Sequence, residues 1–377
     1  MKLGIVGLPN AGKTTVFNAL THAGALSTAY AFSSAEANHG VVAVPDERLD
    51  RLNEVLQTPR EVHATIEVVD IPGLAGGSGE HGQGLGSRFL SDIREVDAVA
   101  HVVRAFENPE VAFPRDTIDP VVDVEAVETE LILSDLELVE RRRDKTGKAA
   151  RSGDRRAQKE LTVLERFASE LAEGRRAREI ARARDEEPLM RDLALVTERP
   201  VLFVLNTDES HLGAGDGLDA WARERGDEVV ALAVDAWARE RGDEVVALAA
   251  RLEVELAELA PAEAAEFRDG LDVPAGGVDE VIAGCYRVLG YITFFTGDFK
   301  SSESRAWQLP RGWTAWQAAG RIHGDIQKKF VRAEVVPIDA LLTLGSFAHA
   351  RNKGVLRVEG RDYVVADGDV MNFRHTA

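Results

Sequence analysis

Over the first third of the chain, apolar residues fall in short dense runs separated by stretches of helical periodicity. Leu3–Val6, Val41–Val44, Thr65–Asp70 and Ala98–Val103 are Val- or Ile-rich and too short for helices, and they predict strands. A further strand, Val201–Leu205, follows a long gap. Strands alternating with helices predict a largely parallel sheet covered on both faces. Within the gap, Val124, Val127, Leu131 and Leu138 follow a heptad spacing, and Leu161, Leu164, Ala168 and Leu171 follow a second one. The polar stretch RRRDKTGKAARSGDRR lies between them. This predicts two antiparallel helices joined by a turn, packing mostly on each other as an insertion in the α/β domain. From Tyr291 the texture changes. Arg305–Leu309, Val331–Val336, Val355–Val358 and Tyr363–Val365 predict short strands around a helix at Ala315–Ile322, a separate small α+β module.

One segment is written twice. Asp219–Ala233 recurs unchanged at Asp235–Ala249, a period too sparse for a solenoid. Each copy reads as a helix end, a Gly-Asp turn and a strand. The second runs directly into Ala250–Leu259, so it is expected to take the sheet position, with the first an accommodated insertion.

Charge sharpens this organisation. The 377 residues carry a net charge of −19, which argues against indiscriminate attraction of the whole molecule to nucleic acid or anionic membrane. Arg141–Arg184, however, holds 15 Lys and Arg against 7 Asp and Glu. From Tyr291 to the end the count is 12 against 9. An acidic body thus carries a basic arm and a mildly basic tail. A single cysteine, Cys285, excludes a disulfide framework and a cysteine-rich metal site. Pro9 interrupts the first apolar run, and no later stretch is long and apolar enough to span a bilayer. The expectation is a soluble cytoplasmic protein with no membrane partner.

The chemistry is concentrated in Gly7-Leu8-Pro9-Asn10-Ala11-Gly12-Lys13-Thr14, which fits GxxxxGK[ST] between a predicted strand and a predicted helix, Thr15–Thr21. Glycines let backbone N–H groups turn inward around phosphate oxygens, and the helix N-terminus adds a positive dipole end. Lys13 would reach the β- and γ-phosphates, and the Thr14 hydroxyl would ligate Mg²⁺. Asp70-Ile71-Pro72-Gly73 ends the third strand, where Asp70 can hold the Mg²⁺ shell and the Gly73 amide can face the γ-phosphate. Asn206-Thr207-Asp208-Glu209 ends the strand that begins at Val201. GTP-binding proteins place N-K-x-D there, with the Asp accepting two hydrogen bonds from guanine. N-x-x-E lengthens that carboxylate and replaces the Lys, which tilts the base preference away from guanine. Gly77–Gly82 fits GxGxxG but lacks the strand-to-helix turn, and it reads as a mobile loop.

Together these residues resemble the YchF/Obg-like ATPases along nearly the whole chain. The resemblance is carried by GLPNAGKTT (7–15), GVVAVPDERL (40–49), DIPGL (70–74), GLGSRFLSDIREVDAVAHVVRAFEN (84–108), NTDE (206–209), AAGRIHGD, FVRAEV and EGRDYVVADGDVMNF. It implies an α/β fold with a Ras-like P-loop G domain at 1–123 and 192–290 and a helical coiled-coil insertion at 124–191. It also implies a C-terminal ubiquitin-like TGS (β-grasp) domain at 291–377. The function it implies is slow, Mg²⁺-dependent hydrolysis of ATP in preference to GTP, with ribosome association. Carried over residue by residue, Asn10, Ala11, Gly12, Lys13, Thr14 and Thr15 would bind the phosphates. Asn206 and Glu209 would face the base, and Thr14, Ser34 and Asp70 would serve Mg²⁺.

Several positions depart from the family pattern. Ser34 stands where relatives carry a switch Thr, and the surrounding AFSSAEA lacks two prolines. Phe113 aligns with a position where relatives often have a His proposed to assist hydrolysis; His81 and Gln83 are the nearest substitutes. Leu74 follows DxxG, as in the family, where Ras-type enzymes have a water-orienting Gln. Ala249-Ala250-Arg251 replaces a Ser-Ala near the base. Asn10 fits a monovalent-cation site, with K⁺ the expected ion by analogy with related P-loop proteins. The basic arm, with Arg305, Arg311, Arg321, Lys328, Lys329 and Arg332 of the last module, is a candidate RNA-phosphate surface. Trp307, Trp313 and Trp316 are expected in the core or at a partner contact. The alternative functions are a non-catalytic module whose ribosome or RNA binding is gated by nucleotide, and a GTPase.

Overall fold

The computed structural model describes residues 1–22, 28–30, 38–72, 87–112, 118–208, 237–238, 240–271, 273, 276–298 and 301–376. By internal contacts the chain forms two units, one of residues 1–41 with 67–285, the other of 42–66 with 286–377. The segment 42–66 is thus grouped with the C-terminal residues, a pairing across the chain that no local pattern announces.

In the first unit the Val/Ile-rich runs form the expected sheet. β1 (Lys2–Val6) is hydrogen-bonded in parallel to β5 (Thr65–Asp70) on one side and β6 (Ala98–Ala105) on the other. β7 (Val201–Thr207) and β8 (Glu244–Leu248) continue the parallel set. β2 (Thr28–Tyr30) and β3 (Asn38–Ala43) form an antiparallel pair that completes the order β2-β3-β5-β1-β6-β7-β8. β6 is buried at all eight positions, as a central strand covered on both faces must be. β8 and the helix Ala250–Ala257 come from the second copy of the repeated segment and its continuation, as expected; the first copy lies outside the described residues.

The helical arm departs from expectation in extent and phase. α4 runs from Pro120 to Arg151, capped by Asp119, and α5 from Arg155 to Ala172, capped by Asp154. The stretch read as a polar connection is therefore helical except for Ser152–Asp154, where Gly153 has φ +92°. Its seam is made of small residues, Gly147, Ala150 and Ala157, which a search for large apolar side chains passes over. The buried positions of α4 include Ile132 and Val139, one step on from the expected Leu131 and Leu138. The reason is that α4 serves two neighbours. Val124 packs with Val103, Ala105 and Phe203 of the sheet. Ile132 and Val139 pack with Leu164, Phe167 and Leu171 of α5 and with Ala177, Ile180, Met190, Leu193 and Leu195 beyond it. The two helices do not close a core on each other alone.

Charges fix the root of this arm. Asp135, fully buried in α4, accepts the Val196 and Thr197 backbone N–H groups at 2.9 Å each and the Thr197 hydroxyl at 2.6 Å. Arg176, 2% exposed, donates to Glu128 at 3.0 Å, to Glu179 at 2.9 Å and to Asp243. Arg178 donates to Asp243 at 2.6 Å. Removing one partner from such a buried set typically costs about 3–5 kcal/mol. Asp243 directly precedes β8, so these pairs tie the arm to the last parallel strand.

The second unit contains a six-stranded mixed sheet. β4 (Glu61–Val62), β9 (Tyr291–Thr296), β10 (Ser304–Pro310), β11 (Phe330–Pro337), β12 (Arg357–Glu359) and β13 (Asp369–His375) stand in the order β12-β11-β13-β9-β10-β4. The helix Ala315–Ile322, closed by a Thr314/Gln317 capping box, packs Ala315, Ala318 and Ala319 on Phe294, Leu309 and Val335. This is the β-grasp plan of a sheet wrapped on one helix. Trp307 stacks on Phe294 and Trp313 joins this core, while Trp316 is exposed. Tyr363–Val365 forms only an isolated bridge through Val364, and β13 takes the strand role instead. α2 (Glu47–Leu56) also belongs to this unit and buries Leu49, Leu52 and Leu56. Arg48 of α2 reaches Asp367 at 2.7 Å.

Because β8 draws on the second copy alone, deleting residues 219–234 should leave the fold intact. Shortening the connection between β7 and β8 to this degree changes closure entropy by less than about 1 kcal/mol. Urea unfolding of the deletion variant should give a midpoint at or slightly above that of the full chain. A chain that no longer folds would show that the first copy makes essential contacts.

Candidate nucleotide site

The site lies at the C-terminal ends of β1, β5, β6 and β7, the edge where parallel α/β sheets bind ligands. β1 ends at Val6 and the chain turns at Gly7, φ +148°, where a Cβ would sit 2.3 Å from the Val102 carbonyl oxygen. Only glycine permits that approach to β6. Asn10 adopts φ +62° and donates from Nδ2 to the Ala112 carbonyl at 2.8 Å. Gly12 has φ +92°, and a Cβ there would lie 2.1 Å from Asn206 Nδ2. The loop then enters α1 (Lys13–His22), whose first turn leaves backbone N–H groups free for an anion.

Lys13 and Thr14 stand side by side at that helix start. Lys13 Nζ donates to the Leu8 carbonyl at 2.8 Å, across the loop. Burial lowers its pKa, and Asp70 opposes that effect. The Thr14 hydroxyl donates to Asp70 Oδ2 at 2.9 Å, and Asp70 is 7% exposed. A hydroxyl and a carboxylate converging at the phosphate-loop helix are hard oxygen donors of the kind Mg²⁺ takes. Thr14 and Asp70 therefore fit the expected metal.

Asn206 joins the phosphate loop to the start of the helix Ala250–Ala257. Its Nδ2 donates to the Ala11 carbonyl at 3.1 Å, and its Oδ1 accepts the Ala250 backbone N–H at 3.3 Å. Next to it opens a cavity of about 530 Å³, lined by Gly12, Thr15, Phe106, Asn206, Arg251 and Phe267 among others. Asp208 and Glu255 add carboxylates to its wall. Thr207, where N-K-x-D proteins have Lys, is buried and donates its hydroxyl to the Ala105 carbonyl at 3.4 Å.

The structure thus brings Asn10, Ala11, Gly12, Lys13, Thr14, Thr15, Asp70 and Asn206 to one edge of the sheet. Ser34, Gly73 and Glu209 lie outside the described residues, as do Leu74, His81, Gln83 and Phe113. Sequence reasoning did not single out Phe106, Phe267 or His101. Phe106 follows directly on a strand end in the run that carries the family resemblance, a signal that was there to use. Nothing in the sequence marks Phe267, which reaches the cavity from the helix Pro261–Leu271. His101 is buried in mid-β6, in register with Val6 and Phe203, and its ring lies 5.4 Å from that of Phe203. Burial first, and the charge of Lys13 second, push its pKa down to about 3.

Residues 2–138 match the family model described as "50S ribosome-binding GTPase", and residues 291–376 match the YchF-GTPase_C model, described as "Protein of unknown function (DUF933)". The chain is 39% identical over 375 residues to the ribosome-binding ATPase YchF of Bacillus subtilis, covering 98% of each. It is 40% identical over 375 residues to the protein of that name from Escherichia coli O157:H7, covering 99% of this chain and 98% of the relative. The solved YchF GTPase of Schizosaccharomyces pombe superposes with a TM-score of 0.83 at 30% identity, over 99% of this chain and 97% of the other. A GTP-binding protein from Pyrococcus horikoshii OT3 shares the fold, with a TM-score of 0.61 at 21% identity and full coverage of both chains.

His101 makes stability depend on acid. Its folded pKa lies below the unfolded value of 6.5, so below that pH the unfolded chain binds a proton the native site refuses. Stability is lost as pH falls from 6.5 towards 3, at up to about 1.4 kcal/mol per pH unit from this residue. Denaturant unfolding at stepped pH should show a flatter acid limb for His101→Leu than for the wild type. Parallel limbs would contradict the assignment.

Proposed function

The chain belongs to the YchF family, and from that premise we propose that it is a Mg²⁺-dependent ATPase. It would hydrolyse ATP slowly to ADP and phosphate and act as a nucleotide-switched, ribosome-associated factor in the cytoplasm. The observation that carries this reading is the junction at Asn206. One side-chain amide ties the phosphate loop to the mouth of a cavity large enough for a purine.

In this reading Lys13 and the amides of residues 10–15 hold the phosphates and neutralise charge on the transferring group. Thr14 and Asp70 would hold Mg²⁺, which when bound supplies further charge to the phosphate oxygens. Ser34 and Gly73 would complete the switch around the γ-phosphate. Phe106 offers an apolar face to the base, and Glu209 would sit on the base side. The preference for adenine is supported by the N-x-x-E pattern and by Thr207, which is bonded into the sheet instead of offering a Lys stem. Slow turnover follows from Leu74 at the position of the water-orienting Gln. Asn10 commits its amide nitrogen to Ala112, so its carbonyl oxygen is the atom to contact a K⁺ ion. Equal turnover in K⁺ and Na⁺ would remove that element.

Ribosome contact would run through basic side chains of the arm and of the β-grasp module. The arm's exposed Arg141, Lys145, Lys148, Arg151 and Arg155 sit around the turn between α4 and α5. Phosphate contacts of this kind weaken steeply with salt.

The test is calorimetric titration with non-hydrolysable ATP and GTP analogues in Mg²⁺, paired with ribosome co-sedimentation. The ATP analogue should bind more tightly, and Lys13→Ala should abolish turnover and weaken analogue binding at least tenfold. Tighter binding of the GTP analogue would overturn the base assignment. Loss of co-sedimentation in Lys13→Ala, with negligible turnover in the wild type, would favour a nucleotide-gated binding module over an enzyme.

A further inference from the structure

Arg104 is a buried cation one strand away from Asn206, with which it is in parallel register, and it is 3% exposed. It does not point at the phosphate loop. Its guanidinium turns to the loop that follows β6. Nε donates to the Phe106 carbonyl at 3.1 Å, Nη2 to the Asn108 carbonyl at 3.2 Å and Nη1 to the Val111 carbonyl at 3.3 Å. The same guanidinium stacks on the Phe106 ring, 4.5 Å from its centroid. One rigid fork therefore fixes three carbonyls and one ring within six residues of chain.

That loop is a wall of the base cavity, to which Phe106, Glu107, Asn108 and Val111 all contribute. It is also tied to the phosphate loop, because the next carbonyl, Ala112, accepts the Asn10 side chain. A cation is costly to bury, and short of a functional demand a turn can satisfy its own carbonyls with water. Lys could not do the same work, since it is a point charge with no planar fork.

We propose that Arg104 is a positioning residue for the nucleobase. It holds the 106–111 loop so that the Phe106 ring, stacked by the guanidinium on one face, presents the other to the base. Without it the phosphate loop would still bind phosphates, but the base would lose its platform. This rests on the nucleotide-binding reading above, and the experiment separates the two.

The experiment measures affinities of wild type and Arg104→Lys for ADP, GDP and inorganic tripolyphosphate by calorimetry in Mg²⁺. In the wild type the favoured nucleoside diphosphate should bind well above the level of tripolyphosphate. In Arg104→Lys that nucleotide should bind about tenfold or more weakly, the scale set by base–aromatic stacking. Tripolyphosphate should change less than about twofold. An equal fall for nucleotide and tripolyphosphate, or no fall in either, would overturn the proposal. A wild type that binds neither nucleotide would overturn the nucleotide reading itself, and this proposal with it. If Arg104→Lys does not fold, hydrogen exchange of the wild type decides. The Glu107–Val111 amides should be slowed by the favoured nucleotide and not by tripolyphosphate; equal slowing by both would contradict the role.

Discussion

A single side-chain amide holds the centre of the first unit together. Asn206 sits near the end of β7, donates to the phosphate loop at Ala11 and accepts from the first amide of the helix at Ala250. Gly12 has no side chain because Asn206 already occupies that space. Three chain segments far apart in sequence are thereby placed to within a hydrogen bond. The phosphate loop and the cavity beside it share a border at this contact. A buried amide with one donor and one acceptor used in opposite directions also specifies its own orientation, which an apolar residue could not.

Around this centre, several buried charges are held by hydrogen bonds and ion pairs. Asp135 takes three hydrogen bonds from the segment that leads into β7. Arg176 and Arg178 converge on Asp243 immediately before β8. β7 ends at this cavity and β8 leads into the helix Ala250–Ala257 that lines it, so the root of the basic arm is bonded to the same frame. Lys13, Arg104 and His101 also lie in this region, and burial pushes each towards its neutral form. The arginine and the lysine meet that cost with carbonyl and carboxylate partners, while the histidine meets it by giving up its proton.

Much of this was legible in the sequence. The phosphate loop declared itself through residue types that only one geometry requires, and the strand runs predicted a largely parallel sheet. The second repeat copy could be placed because it leads without a break into the next helix. What escaped has identifiable causes. The seam of the arm is lined near its tip by Gly147, Ala150 and Ala157, and small residues leave no hydrophobic period to read. The phase of α4 slipped by one because the helix packs on two partners. β13 was missed because Asn372 and Arg374 interrupt its apolar pattern, although Val370 and Met371 are buried. In the site, Asn206 was found from its motif, but its bond to Ala11 was not, and Phe267 arrives from a helix with no motif at all.

The most direct test is to replace Asn206 by Asp and titrate the variant with the ATP analogue. The carboxylate keeps the acceptor for the Ala250 N–H and loses the donor, placing an oxygen against the Ala11 carbonyl. If this amide organises the site, nucleotide affinity should fall at least about tenfold, the effect of losing one buried hydrogen bond, while far-UV circular dichroism stays that of the wild type. Wild-type affinity in the folded variant would contradict the account, because the phosphate loop would then hold its shape without the contact on which the site is said to depend.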